Sequence, residues 1–198
     1  MLNYGATWDS FLSRLIDDDG KNITAYDTRG EICIRGPNII SGYFENPKAN
    51  AESFDSEGFY KTGDIVYCDG KTKKWYVVDR KKELIKVRGF QVAPPELENV
   101  LLSHPHIVDA AVIGVKHHVE KDVELPRAYV VKRAHPESLS LDEKAVKEYC
   151  GTKLAKYKEL TGGVRFVPAI PKNASGKILK RVLRDEAKLE SKEQRSRL

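Results

Sequence analysis

The segment from Pro171 to Arg181 places one lysine, Lys177, directly after Ser175-Gly176 and before a basic stretch. Glycine has no Cβ, so such a loop can swing and approach a ligand closely. A flexible ammonium presented in this way suits an anionic reaction centre, such as a phosphate group that loses its leaving group. By itself the segment fits a solvated lysine-rich loop equally well, so its meaning depends on the rest of the chain.

A second candidate for chemistry is the carboxylate of Asp64, in the segment Thr62-Gly63-Asp64. We predict that a turn presents this side chain at the mouth of a β-rich unit. An ionised carboxylate only accepts hydrogen bonds, so Asp64 suits the two hydroxyl groups of a ribose. Taken alone, the three residues favour a plain turn without a ligand.

The third candidate is a cationic run, with five lysines and arginines between Arg80 and Arg88. Arg80 can donate paired hydrogen bonds to ribose or phosphate oxygens. Gly89 leaves room for a thin ligand chain against the backbone, and the polar amide of Gln91 follows. A charged hairpin with solvent-facing lysines would give a similar run, but Gly89 and several apolar residues interrupt the alternation of such a hairpin.

The elements that must position these residues differ between the two halves of the chain. From residue 14 to 76, short alternating segments are separated by turn signals, which predicts a small antiparallel β-subdomain. After Arg80 the pattern changes, and we predict a compact α+β domain, with the boundary at Asp79–Lys82. Its predicted elements are a helix opening at Pro95, strands at 108–115, 127–132 and 164–167, a helix with a capping box at Ser140-Leu141-Asp142-Glu143, and a final helix from Ile178 to about Leu189.

Composition limits the function classes. With 40% hydrophobic and 32% charged residues in a chain of 198, a soluble globular protein is expected. No apolar run is long enough to span a membrane, and no secretory signal opens the chain. Three widely spaced cysteines (Cys33, Cys68 and Cys150) favour reduced packing thiols in an intracellular compartment.

The net charge of +5 does not indicate a nucleic-acid partner. Residues 172–198 hold nine Lys and Arg against four Asp and Glu, so the whole basic excess lies in this tail. The chain shows no basic stripe with interleaved aromatics and no nucleic-acid fold signature. Phosphorylated small molecules are therefore the expected anionic partners.

The order of a carboxylate, a boundary arginine, a cationic hairpin and a distant loop lysine resembles the adenylate-forming superfamily. The closest likeness is to 4-coumarate–CoA ligase and its acyl-CoA ligase relatives, and it covers roughly residues 15–190. It is supported by the segments Arg35-Gly36-Pro37-Asn38, Ser41-Gly42-Tyr43-Phe44-Glu45-Asn46-Pro47, Gln91-Val92-Ala93-Pro94-Pro95-Glu96-Leu97-Glu98 and Leu154-Ala155-Lys156-Tyr157-Lys158.

The resemblance implies the C-terminal portion of a larger enzyme. Residues 1–79 would be the remnant of an N-terminal AMP-binding domain, residues 80–190 the C-terminal domain, and residues 191–198 a tail. In this family a carboxylic acid and ATP give an acyl-adenylate, from which coenzyme A displaces AMP, while the C-terminal domain rotates between the two steps.

The resemblance also implies a role for each candidate residue. Lys177 would be the catalytic adenylation lysine, which bridges the acid and the α-phosphate. The remaining roles are ribose or adenylate binding by Asp64, Arg80, Lys86 and Gln91, a hinge at Lys82, and a coenzyme A path along Arg88 and Gly89.

Other family features are missing from this sequence. The phosphate loop and the carboxylic-acid pocket are absent, and Trp8 stands where the metal-associated glutamate is expected, so the Mg²⁺ that accompanies ATP should bind in the missing domain. We predict no metal site in the chain and no ATP turnover by the chain alone. The alternative is a non-catalytic orphan fragment or adaptor that retains the fold.

The ending Ser196-Arg197-Leu198 is close to a peroxisomal address. It predicts a peroxisomal location, with an import receptor as a partner, and otherwise a cytoplasmic one. The identity of the carboxylic acid cannot be read from these residues.

Overall fold

The computed structural model describes residues 12–117, 120 and 122–196, without the side chains of 192–196. Trp8 and the terminal Arg197-Leu198 lie outside the described residues. The chain divides into two compact units, of which the first ends at Lys82 and the second begins at Glu83. The α+β fold class is confirmed, with mainly antiparallel strand pairing and four α-helices among the described residues.

The first unit is a five-stranded antiparallel sheet of order β2-β1-β3-β4-β5, with one short helix. Its elements are β1 (Leu12–Ile16), β2 (Asn22–Ile23), β3 (Gly30–Arg35), α1 (Pro47–Ser53), β4 (Tyr60–Cys68) and β5 (Trp75–Arg80). Because β-strands alternate their side chains between two faces, the pattern around Cys33 correctly predicted the half-buried strand β3. The core is small, since the one cluster of buried apolar residues in the described part of this unit contains Ile16, Cys33 and Phe59.

The segment around Gly63 is not the turn that the sequence predicted. It lies within β4, where the pairing with β3 shifts between Glu31 and Cys33. Gly63 has φ +74°, a left-handed conformation that glycine adopts at little cost. Asp64 therefore follows an irregularity inside a strand, which re-aims its side chain, and does not sit at the end of a loop.

The second unit is a three-stranded sheet of order β10-β9-β8, a separate two-stranded hairpin and three helices. Its elements are β6 (Ile85–Val87), β7 (Phe90–Val92), α2 (Pro94–Leu102), β8 (Ile107–Lys116), β9 (Glu124–Lys132), α3 (Glu143–Gly151), β10 (Val164–Phe166) and α4 (Lys180–Ser196). Strands β8 and β9 pair antiparallel, whereas β10 runs parallel to β9.

The sheet of the second unit is buried on both faces. Ala110 and Val112 of β8 pack in the cluster that contains Leu97 of α2 and Val146 of α3. The intervening Ala111 and Ile113 belong to a second cluster with Leu183 and Ala187 of α4. This two-sided burial explains why β8 reads as a continuous apolar run without polar alternation.

The cationic run does form a hairpin. Strands β6 and β7 pair directly, and the turn between them is Arg88-Gly89, with φ +44° and +86°. Two consecutive positive φ values define the tight turn whose twist suits a two-residue hairpin loop. Gly89 thus interrupts the alternation because it makes the turn.

The predicted capping box is wrong. Ser140 ends a short 3₁₀ helix (Pro136–Ser140), and the N-cap of α3 is Asp142, whose Oδ1 accepts from the N–H of Ala145 at 2.8 Å. The final helix also begins at Lys180, two residues later than predicted, because Ile178 pairs with Lys172 in a β-bridge.

The cysteines are confirmed as free and buried. In the part of the chain that the structure describes, no helix combines the length and apolar character needed to cross a membrane.

Candidate functional site

The first cluster of candidate residues is an ion pair on neighbouring strands. Asp64 of β4 lies directly opposite Arg80, the last residue of β5. Asp64 Oδ1 accepts from Arg80 Nε at 2.7 Å, and the Arg80 side chain is 63% exposed while that of Asp64 is 34% exposed. A pair this open to solvent contributes little to stability. Its carboxylate and guanidinium are therefore accessible to a ligand that carries hydroxyl groups.

A buried carboxylate supports the backbone beneath this pair. Glu31, only 6% exposed, accepts from the N–H of Gly63 at 3.1 Å and from Lys81 Nζ at 3.0 Å. The N–H of Lys81 donates to the carbonyl of Gly63 at 2.7 Å. Glu31 therefore joins the residue before Asp64 to the residue after Arg80, and both members of the pair have fixed backbone positions.

Two tyrosines of the first unit share a hydrogen bond near this pair. The hydroxyls of Tyr60 and Tyr43 are 3.1 Å apart. This hydrogen bond, with partial burial and the negative charge of Asp64, raises the pKa of Tyr60. A neutral tyrosine hydroxyl can both donate and accept a hydrogen bond.

The Lys177 loop is a hydrogen-bonded turn. The N–H of Gly176 donates to the carbonyl of Asn173 at 2.9 Å, and Gly176 has φ +81°. The loop is tied to β8 by Lys172, whose Nζ lies 2.7 Å from Asp109 Oδ2. Lys177 itself is exposed, and its ammonium has no hydrogen-bond or ion-pair partner among the described residues. The freedom expected of this loop therefore belongs to the lysine side chain, on a backbone that is held in place.

The hairpin β6–β7 presents the remaining polar candidates. Lys86 and Gln91 are opposite each other in the pairing register, so both side chains are on one face, and both are exposed. At the turn, Arg88 Nη2 lies 3.3 Å from Glu120 Oε1. The N–H of Lys86 donates to Glu124 Oε2 at 3.2 Å, which ties the hairpin to β9.

Comparisons with known proteins show what the chain is similar to. Residues 96–177 match the family model described as the AMP-binding enzyme C-terminal domain. The chain is 59% identical, over 174 residues, to phenylacetyl-CoA ligase epaB of Aspergillus niger, a match that covers 88% of this chain and 31% of that protein. Residues 96–177 therefore belong to the AMP-binding enzyme C-terminal domain family, and the chain as a whole is related to acyl-CoA ligases.

Two further relatives of the adenylate-forming family extend this finding. A probable 4-coumarate–CoA ligase from Dictyostelium discoideum is 47% identical over 169 residues, which cover 85% of this chain and 29% of the relative. A crystal structure of ATP-bound MatB from Rhodopseudomonas palustris has a TM-score of 0.78 at 32% identity, covering 89% of this chain and 34% of MatB. The chain thus spans about a third of the length of the adenylate-forming relatives it matches.

The site residues predicted from the sequence lie in four places. The structure brings Asp64 and Arg80 into contact, and it places four candidates on the hairpin, namely Lys86, Arg88, Gly89 and Gln91. Lys177 lies on a separate loop of the second unit. Lys82 is the last residue of the first unit and is exposed.

Two residues with supporting contacts were missed from the sequence. Asn173 stands two residues before Ser175, the spacing at which an Asn side chain often accepts a hydrogen bond from the backbone to form an Asx turn. This signal was available in the sequence. Glu31 gave no such signal, because its contacts are with residues 32 and 50 positions away.

Among the residues described, no group of three or more His, Cys, Asp or Glu side chains could hold a metal ion.

Proposed function

We propose that this chain is the C-terminal part of an acyl-CoA ligase. In the first half-reaction a carboxylate oxygen attacks the α-phosphorus of ATP, and pyrophosphate leaves. In the second, the thiol of coenzyme A attacks the acyl carbon, and AMP leaves. The observation that carries the proposal is the solvent-open Asp64–Arg80 pair, held from below by Glu31, in a chain with close acyl-CoA ligase relatives.

The pair would hold the nucleotide in both half-reactions. A carboxylate has several acceptor sites, so Asp64 can keep its bond to Arg80 and still accept from the ribose hydroxyls. Arg80 donates to Asp64 through Nε, which leaves its terminal nitrogens for ribose oxygens. Because ATP, the adenylate and AMP all carry this ribose, loss of Asp64 should weaken both half-reactions.

Lys177 would act in adenylation alone. Negative charge builds up on the α-phosphate oxygens as the carboxylate attacks, and a nearby ammonium stabilises that charge without transferring a proton. The exposed side chain of Lys177, without a partner among the described residues, supports this role, because no ion pair there has to be broken first.

The hairpin would serve the adenylate and coenzyme A. Lys86 and Gln91, side by side on one face, would contact the adenylate. Arg88 and Gly89 at the turn would line the coenzyme A path, where the absence of a Cβ at Gly89 leaves the backbone open.

A hinge at Lys82 would let one unit serve both half-reactions. Its two neighbours are anchored within their own units. Lys81 Nζ lies 3.0 Å from Glu31 and 3.4 Å from Asp18, whereas the carboxylate of Glu83 accepts from both terminal nitrogens of Arg184 on α4. These anchors support rotation about the exposed residue between them, which is the usual location of a hinge.

We also propose that the chain needs a further domain for activity. Several large apolar side chains of the first unit are exposed, including Phe44 at 89%, Val77 at 74% and Ile40 at 51%. Such residues are typical of a surface that packs against another domain. That domain would supply the phosphate loop, the acid pocket and the Mg²⁺ site, and a non-catalytic adaptor is the competing possibility. The terminal Ser196-Arg197-Leu198 supports a peroxisomal location.

A complementation assay tests this proposal. Pyrophosphate release is measured for the chain alone, and then for the chain mixed with the N-terminal portion of the A. niger phenylacetyl-CoA ligase, with ATP and phenylacetate. We expect no release by either part alone and release by the mixture. If the mixture stays inactive although the two parts bind each other, the adaptor is favoured and the ligase proposal fails.

A further inference from the structure

Asn173 holds the main chain of Lys177 on both sides. Its side-chain Oδ1 accepts from the N–H of Lys177 at 2.8 Å, while its own N–H donates to the carbonyl of Lys177 at 3.0 Å. The two hydrogen-bonding groups of the lysine backbone are thus tied to one residue. Only the side chain of Lys177 keeps its freedom.

The same oxygen organises the rest of the turn. Asn173 Oδ1 also accepts from the N–H of Ser175 at 3.1 Å and from Ser175 Oγ at 2.8 Å. An amide oxygen has two lone pairs, so three short donors use its full accepting capacity. This is a capped turn of the Asx type, in which a side chain replaces the backbone hydrogen bonds that a longer loop would need.

The turn is fastened on its far side as well. Lys172 and Ile178 form an antiparallel bridge, and the N–H of Leu179 donates to the carbonyl of Pro171 at 2.8 Å. The loop therefore starts and ends on fixed residues. Asn173 is the side chain that defines the path between them.

We propose that Asn173 is a positioning residue for Lys177, and that it sets where the ammonium stands when the adenylate forms. The inference rests on the proposed adenylation role of Lys177. Catalysis by a fixed charge depends on its position, because misplacement by about 1 Å can cost roughly 100-fold in rate. Without the amide oxygen, the lysine backbone is free to shift although the ammonium itself is retained.

The test uses a hybrid ligase, in which this chain replaces its counterpart in the A. niger phenylacetyl-CoA ligase. The two half-reactions are measured separately, as pyrophosphate release and as thioester formation from supplied phenylacetyl-adenylate. Asn173→Ala should slow adenylation by about 10- to 100-fold and leave thioester formation within about two-fold. Asn173→Thr, whose hydroxyl accepts the same bonds more weakly, should fall between the wild type and the alanine variant.

Two reference variants separate positioning from simple loss of stability. Asp142→Ala removes another side-chain cap of the second unit, at the start of α3. It should lower the thermal midpoint by an amount similar to Asn173→Ala, but leave the ratio of the half-reaction rates unchanged. Lys177→Ala should block adenylation selectively.

The outcomes distinguish the inference from the proposed function. If Lys177→Ala blocks adenylation but Asn173→Ala leaves it unchanged, or slows both half-reactions equally, the positioning role is wrong and the proposed function stands. If Lys177→Ala leaves adenylation intact, the catalytic role of Lys177 is wrong, and the role of Asn173 is overturned with it.

Discussion

The Asp64–Arg80 contact is a consequence of strand register. The two residues lie opposite each other on β4 and β5, so their side chains meet on one face of the sheet. From the sequence, the chemistry of each side chain suited a ribose, and the family resemblance implied that both contact the same one. The pairing itself could not be predicted, because the register of β4 shifts against β3 between Glu31 and Cys33 and against β5 between Ile65 and Val66.

Substitution of Asp64 should weaken nucleotide binding. In the hybrid ligase, Asp64→Asn should raise KM for ATP by roughly 10- to 100-fold, because hydrogen bonds to a charged group are worth about 1.5–3 kcal/mol. The matched control is Asp19→Asn, which changes a 77% exposed turn carboxylate of the same unit. Steady-state kinetics of both variants check this, and an equal rise in KM for the two would exclude the ribose role.

Residues that support a site by hydrogen bonds to the backbone of other residues are the hardest to find in a sequence. Lys177 is recognisable because its motif is local and continuous. Glu31 is not, because its contacts with Gly63 and Lys81 exist only after β3, β4 and β5 have paired. The carboxylate of Glu31 can be buried because Gly63 and Lys81 donate hydrogen bonds to it, and a buried charge needs such partners.

At the level of elements, hydrophobic periodicity predicted which segments form strands and helices, but it predicted the first residues of the helices less well. An alternating apolar pattern located β3 and a continuous apolar run located β8, because the hydrophobic pattern reflects whether one or both faces of a strand are buried. The start of α3 was misjudged because Ser140 and Asp142 are both good N-cap residues, and the 3₁₀ helix that ends at Ser140 decides between them. Such competition between neighbouring caps is settled by tertiary packing.

Gly162, two residues before β10, packs so closely against β9 that a side chain would not fit there. A Cβ at Gly162 would lie 2.8 Å from the carbonyl oxygen of Leu125 and 2.9 Å from that of Pro126. Because these are backbone atoms of β9, they cannot move without disturbing the sheet. We expect Gly162→Ala to lower the free energy of unfolding of the second unit by about 1–3 kcal/mol.

The control for that prediction is Gly151→Ala, at the last residue of α3. A Cβ there meets no atom within 4 Å, so alanine should be neutral or stabilise by about 0.5–1 kcal/mol. Urea denaturation followed by circular dichroism compares the two variants. Equal effects would show that the close approach of Gly162 to β9 is not a constraint.

For the molecule as a whole, the main feature is the division at Lys82. The sequence predicted a boundary between Asp79 and Lys82 from the change of pattern, and the structure separates two compact units after Lys82. The ionic anchors of Lys81 and Glu83 were not predictable, because their partners Glu31 and Arg184 are distant in the sequence.

A hinge at this position should be visible as independent motion. In the 198-residue chain, ¹⁵N relaxation should give different rotational correlation times for residues 12–82 and 83–191. The reason is that two units joined by one unanchored residue tumble partly independently. A single correlation time for all these residues would mean that the hinge is locked, and the rotation between half-reactions would have to be abandoned.

The most direct test of the account is the effect of Lys177→Ala on the two half-reactions of the hybrid ligase, with the exposed Lys144→Ala as the control. We expect pyrophosphate release to fall by about 10²- to 10³-fold, while thioester formation from supplied acyl-adenylate continues at the wild-type rate. Lys144→Ala should change neither rate. Equal losses in both half-reactions would contradict the central claim that this ammonium serves adenylation alone.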